Sequence, residues 1–153
     1  MNDYDVAIVG SGLAGSSAAI LFARHGLKVA LLERSTDPQA YKALCSHYIR
    51  PSAFPTMRRL GIEAPIESAG GVRTLLRDHT PGGWIDDAPD GPFAYNIRRE
   101  KLDPLLRQRA AETPGVDLRL GNRAVGVIEA DGATEGDRRI VGVRIEDREQ
   151  QVS

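Results

Sequence analysis

The chain has a single cysteine, Cys45, in 153 residues, so it forms no internal disulfide and suits a reducing compartment. It has no apolar run near the ~18 residues that a bilayer span needs. Its acidic start, Met1-Asn2-Asp3-Tyr4-Asp5, leads straight into an apolar stretch and does not read as a signal peptide. A cytoplasmic protein without a membrane span is expected. A net charge of −1 gives no electrostatic argument for nucleic acid or an anionic membrane as partner. One cysteine and the scattered His25, His47 and His79 make no ligand spacing, so no metal is expected. None of Tyr4, Tyr41, Tyr48 or Tyr95 has a lysine four residues on, which argues against the Tyr-x-x-x-Lys acid/base pair of short-chain dehydrogenases. No Gly-x-Ser-x-Gly elbow, repeat or low-complexity segment is present. With 41% hydrophobic and 27% charged residues, the composition is that of a globular domain with a core.

What is present is an apolar run, Val6-Ala7-Ile8-Val9, that delivers Gly10, Gly12 and Gly15 at one-three-six spacing, with an alanine-rich helical pattern behind them. A second apolar run, Val29-Ala30-Leu31-Leu32, ends on Glu33, 18 residues after Gly15. Each residue type has a physical reason to be there. Gly10 permits a sharp turn, Gly12 lets a pyrophosphate approach the backbone, and Gly15 lets the helix pack close to the strand. Backbone N–H groups at the helix start, at Leu13 and Ala14, with the positive end of the dipole, favour an anion there by roughly 0.3–1 kcal/mol. Glu33 suits a ribose diol and repels a 2′-phosphate, so NADP is disfavoured as the ligand of this site.

Along the chain, residues 5–9 and 28–33 read as buried parallel strands. They flank a helix over 13–25 whose inward face is Ala14, Ala18, Leu21, Phe22 and His25. Residues 51–60 read as a short helix entered at Pro51, stopped by Gly61 and irregular in its first turn because of Pro55. Alternating runs at 72–78, 83–87 and 93–97 suggest a small antiparallel sheet, and 62–97 as a whole reads as part of a substrate-side sheet. A helix over 100–112 carries Leu102, Leu105, Leu106 and Arg109 on one side. A strand over 116–120 follows, and 123–129 pairs with 140–146 as a hairpin across a polar turn at 131–137. The expected fold class is α/β, a Rossmann-like domain with a parallel sheet and a small antiparallel insertion.

The glycine motif with Glu33-Arg34, the segment Cys45-Ser46-His47-Tyr48-Ile49-Arg50-Pro51, and Arg99-Glu100-Lys101-Leu102-Asp103-Pro104-Leu105 resemble FAD-dependent oxidoreductases of the para-hydroxybenzoate hydroxylase and geranylgeranyl reductase superfamily. The resemblance covers nearly the whole chain and implies one FAD-binding domain over 1–153. It implies that Gly10, Gly12, Leu13, Ala14 and Gly15 hold the ADP half of FAD and that Glu33 takes the adenosine ribose. By the same resemblance Arg34 lies near the adenine, and Arg99 reaches the flavin side of the cofactor or its phosphates. Val125 borders the adenine through main-chain atoms, with a core valine as the compatible alternative. Hydroxylase relatives often carry arginine where Cys45 stands, which leaves a phosphate contact open to Lys42. Cys45 itself reads as a small hydrophobe or a functional thiol, and His47 either faces the flavin or caps the following segment.

The resemblance also implies a third cofactor motif, a Gly-Asp pair after the hairpin, which these 153 residues do not contain. The domain is therefore expected to be incomplete at its C-terminus, as a truncated chain or one whose site is completed by a partner chain. The implied activity is that of a monooxygenase or reductase acting on a small-molecule substrate with NAD(P)H as electron donor. The alternative is a non-catalytic nucleotide-binding module or interaction fragment. Catalytic residues are not assigned.

Overall fold

The computed structural model describes residues 4–86, 91–130 and 139–147. Strand β1 (Val6–Val9) runs parallel to β2 (Val29–Leu32), with Val6 opposite Val29 and Val9 opposite Leu32, and helix α1 (Leu13–Arg24) connects them. Strand β8 (Val116–Arg119) joins the other side of β2, also in parallel, so β2 is central and all four of its residues are buried. The expected βαβ unit is present. β1, by contrast, pairs only with β2 among the described strands, and Val9 is 62% exposed, so its expected burial on both faces is not found.

The inward face of α1 also differs from expectation. Ser16, Ala19, Ile20 and Ala23 are buried, whereas Ala14, Phe22 and His25 are exposed. Close approach at Gly15 sets the phase of the helix: a Cβ there would lie 1.9 Å from the Gly10 carbonyl oxygen. The residue that permits contact must face the strand, and positions one and two turns further on, Ala19 and Ala23, then share its stripe. Gly26, at φ +84°, ends the helix as expected.

The chain forms two compact units, residues 1–40 with 106–153, and residues 41–105. In the first, an antiparallel hairpin of β9 (Asn122–Glu129) and β10 (Ile140–Asp147) accompanies the parallel sheet, as the alternation predicts; the polar turn expected at 131–137 lies outside the described residues. In the second, a 3-10 turn at Pro51–Ala53 leads into α2 (Phe54–Leu60), the irregular entry anticipated from Pro55, and Gly61 stops the helix at φ +70°.

The segment 62–97, expected as part of a substrate-side sheet, begins instead with a helix, α3 (Glu63–Ser68). Strand β7 (Ala94–Asn96) pairs with both β3 (Tyr48–Ile49) and β4 (Val72–Thr74). The run expected over 72–78 breaks at Leu75 and Leu76. β5 (Arg77–Thr80) turns away to form its own hairpin with β6 (Gly83–Asp86), while Asp87, the expected last residue of that strand, is outside the described set. Phe54, Phe93 and Tyr95 pack ring to ring with centroids 5.1–5.4 Å apart, and the Tyr95 hydroxyl donates to Glu67. Helix α4 (Arg99–Ala111) begins in the second unit and ends in the first.

Candidate functional site

The first unit carries the glycine loop. Gly10 N–H donates to the Leu32 carbonyl at 2.7 Å, so the chain leaves β1 still tied to β2. At φ +96°, Gly10 adopts a backbone that side-chain-bearing residues disfavour. Gly12 poses a different question: its φ of −72° and ψ of −170° suit any residue, and a Cβ there would meet no protein atom within 4 Å. Nothing among the described residues calls for glycine at this position. A group approaching from outside does, because a side chain would fill the space in front of the helix.

Gly12 caps α1 without a side-chain bond, and no acidic residue lies in the first turn. The N–H groups of Leu13, Ala14 and Gly15 are those that an α-helix leaves without internal acceptors, and they carry the positive end of its dipole. Bare loop and unfilled donors together suit an anion such as a pyrophosphate.

Glu33 extends β2, its N–H bonded to the Arg119 carbonyl and its carbonyl to Asn122 N–H. Its Oε2 accepts from the Ser11 N–H at 2.9 Å and from the Ser11 hydroxyl at 3.0 Å, and its Oε1 accepts from Ser35 N–H at 3.0 Å. Burial pushes this carboxyl up, but the Ser35 and Ser11 hydrogen bonds and the charge of Arg107 outweigh it and leave the group below its ordinary value. The loop and the acid are thus held together through Ser11. Arg34 is exposed. Val125, half exposed, sits at a β-bulge: Ala124 faces Ile145 and Gly126 faces Arg144, so no β10 residue stands opposite it.

Sequence reasoning missed Arg107. It grouped Arg109 with Leu102, Leu105 and Leu106 on one side of the helix, whereas Arg109 is exposed and the buried residues of α4 are Leu102, Asp103, Leu106, Arg107 and Ala110. Arg107 Nε donates to the Ser11 hydroxyl at 2.7 Å, and its two Nη groups donate to the Pro38 and Ala40 carbonyls. The available signal was the i, i+4 row Arg99, Asp103, Arg107 beside Leu102 and Leu106, in which charge shares the apolar face.

In the second unit Arg99 forms a bidentate ion pair with Asp103, Nε to Oδ1 at 2.5 Å and Nη2 to Oδ2 at 2.9 Å. Asp103 Oδ2 also accepts the Lys42 N–H at 3.0 Å. Arg99 Nη1 lies 3.8 Å from Cys45 Sγ, and the His47 N–H points to the same sulfur at 3.4 Å. These two contacts, led by the His47 N–H, with the charges of Arg99 and Lys42, hold the thiol below its ordinary value against the opposing effect of desolvation. His47 adopts φ +61°, and its Nδ1 accepts the Arg99 N–H at 3.3 Å. It caps the start of α4, not the segment that follows it in sequence.

Residues 3–153 match the model of a family described as FAD binding domain. The chain belongs to the FAD binding domain family. It is 33% identical over 115 residues to a flavin-dependent halogenase, armH3, of Armillaria mellea, a match covering 71% of this chain and 22% of that protein. A geranylgeranyl bacteriochlorophyll reductase-like protein of Thermoplasma acidophilum superposes with a TM-score of 0.71 at 25% identity, over 95% of this chain and 35% of that one. PqsL of Pseudomonas aeruginosa, described as a probable FAD-dependent monooxygenase, shares the fold with a TM-score of 0.74 at 21% identity, over 95% of this chain and 39% of that one. The chain therefore spans between about a fifth and two fifths of the length of these relatives. The superfamily read from the glycine loop and the Arg99 segment is borne out, as is the α/β class with a parallel sheet and small antiparallel sheets. Among the described residues no helix is long and apolar enough to cross a membrane.

Proposed function

We propose that this chain is the cofactor-binding part of a flavin-dependent oxidoreductase. The observation that carries the reading is Gly12, a glycine with ordinary dihedrals and open space in front of it, at the start of a helix with no acidic residue in its first turn. On this reading Gly10, Gly12, Leu13, Ala14 and Gly15 receive the pyrophosphate of FAD, and Glu33 accepts a hydroxyl of the adenosine ribose. Arg34 and the main chain at Val125 border the adenine. Arg99, paired to Asp103, serves the flavin side of the cofactor or its phosphates, and Lys42 takes the phosphate contact that arginine makes in hydroxylase relatives. When bound, FAD supplies the redox chemistry; the residues of this chain bind its adenosine half, exclude a 2′-phosphate through the Glu33 carboxylate, and orient what is bound.

The whole protein is then a cytoplasmic monooxygenase or reductase that draws electrons from NAD(P)H and acts on a small molecule. In a second reading these residues are a nucleotide-binding module without turnover, or one whose site a partner chain completes. One experiment separates the two. The purified chain is titrated with FAD, followed by flavin fluorescence and absorbance, and then assayed for NAD(P)H oxidation. FAD binding with turnover supports the oxidoreductase, binding without turnover supports the module, and a colourless chain that takes up no FAD overturns both.

A further inference from the structure

Arg107 is 4% exposed, and Ser11, to which it donates, is fully buried. A guanidinium placed so deep is costly unless its N–H groups are met. Here Nε meets the Ser11 hydroxyl, Nη1 the Pro38 carbonyl and Nη2 the Ala40 carbonyl at 2.8 Å. One side chain thereby ties the glycine loop to the stretch that follows Glu33. Arginine has no acceptor and does not deprotonate in proteins. The Ser11 oxygen must therefore accept from Arg107, and its own proton is free to point only onward, to Glu33 Oε2 at 3.0 Å. Ser11 is anchored from the opposite side as well, its carbonyl accepting the buried Ser16 hydroxyl at 2.9 Å.

We propose that Arg107 is a positioning residue of the nucleotide site: by fixing the direction of the Ser11 hydroxyl and holding the 35–40 segment, it orients the Glu33 carboxylate for a ribose hydroxyl. The inference rests on the reading of this loop as the seat of the ADP half of FAD. Arg107 is the charged group that faces Glu33; the other partners of the carboxylate, Ser11 and Ser35, are neutral. A lysine does not reproduce the arrangement, since its single ammonium cannot span a hydroxyl and two separate carbonyls with a planar fork.

The test uses the 153-residue chain and two probes, ADP affinity by calorimetry and the Glu33 titration followed by carboxyl 13C resonance without ligand. Arg107→Met is expected to weaken ADP binding about tenfold, the scale of a lost hydrogen bond to a charged group, and to move the Glu33 midpoint upward. Arg107→Lys, which keeps the charge, is expected to recover only part of both changes and serves if the methionine variant does not fold. In a Ser11→Ala background, Arg107→Met should cost less affinity than in the wild type, because the hydroxyl route to Glu33 is already cut and only the hold on the 35–40 segment remains to be lost.

An equal loss in both backgrounds, or a Glu33 midpoint unmoved in both variants, overturns the proposal and leaves Arg107 as a structural anchor. The two readings fail separately. A wild-type chain that binds no ADP but whose Glu33 midpoint shifts in the variants refutes the nucleotide site and keeps the Arg107–Ser11–Glu33 linkage. ADP binding with an unmoved midpoint does the reverse.

Discussion

Substituting Gly15 with alanine separates what the fold requires from what a ligand requires. The added Cβ would stand 1.9 Å from the Gly10 oxygen, 3.1 Å from the Gly10 carbonyl carbon and 3.3 Å from Ile8 Cγ2. Two of the three atoms are backbone, in a loop already tied to β2 by the Gly10 N–H, so no flexible side chain can yield. Helix α1 must retreat by about 1 Å and loosen Ala19, Ile20 and Ala23, the kind of overpacking that costs ~1–3 kcal/mol. Alanine returns at most ~1 kcal/mol of helix propensity. With a rigid backbone as the obstacle, a net loss of about 2 kcal/mol follows, a fall in Tm of roughly 4–8 °C for a chain of this length.

Gly12→Ala is the control. Its Cβ meets nothing, so stability should stay within about 1 kcal/mol of wild type, the scale of a changed N-cap, while FAD affinity falls sharply. The assay is thermal unfolding by circular dichroism beside FAD titration of both variants. A Gly15→Ala chain that melts within about 1 °C of wild type, or a Gly12→Ala chain that binds FAD as well as wild type, refutes the assignment of roles to the two glycines.

Two further outcomes follow from the second unit. Because its contacts lower the Cys45 thiol, the thiolate fraction near neutral pH exceeds that of a free cysteine. Iodoacetamide should label Cys45 with a half-maximal rate at lower pH than it labels free cysteine, and Arg99→Met should move that midpoint upward; a profile coincident with free cysteine in both chains refutes the effect. His47→Ala should cost about 1–2 kcal/mol, since it removes the acceptor at the start of α4 and leaves the left-handed backbone in place. His47→Asn, which tolerates that backbone and retains an acceptor, should stay within about 0.5 kcal/mol in urea unfolding.

The βαβ unit was legible in the sequence because its signals are local: apolar runs of strand length, glycines at fixed spacing, and an acid at the end of the second run. The phase of α1 was not. Ala14, Ala18, Ala19 and Ala23 distribute small apolar residues around the helix, and only the contact at Gly15 decides which of them turn inward. Helix α3 has six residues with a proline among them, too few for a period to show. The break at Leu75-Leu76 carries no Gly or Pro to announce it. Arg107 was passed over because a charged residue on a helix reads as solvated; its burial depends on Ser11, Pro38 and Ala40, far away in sequence, which supply the acceptors.

The carboxylate of Glu33 is mostly committed to its own protein. A carboxylate offers about four lone-pair directions. Two on Oε2 are taken by the Ser11 N–H and hydroxyl, and one on Oε1 by the Ser35 N–H. One acceptor direction on Oε1 is left for an incoming hydroxyl, so under the proposed function the acid would meet a sugar through a single donor instead of chelating a diol. The side chain is also held by three hydrogen bonds before anything binds, which lowers the ordering entropy, roughly 0.5–1.5 kcal/mol for a free side chain, that the association step would otherwise cost. Glu33 is less a hook that swings onto its ligand than a fixed socket with one open contact, and any molecule that seats there must bring its proton to that one place.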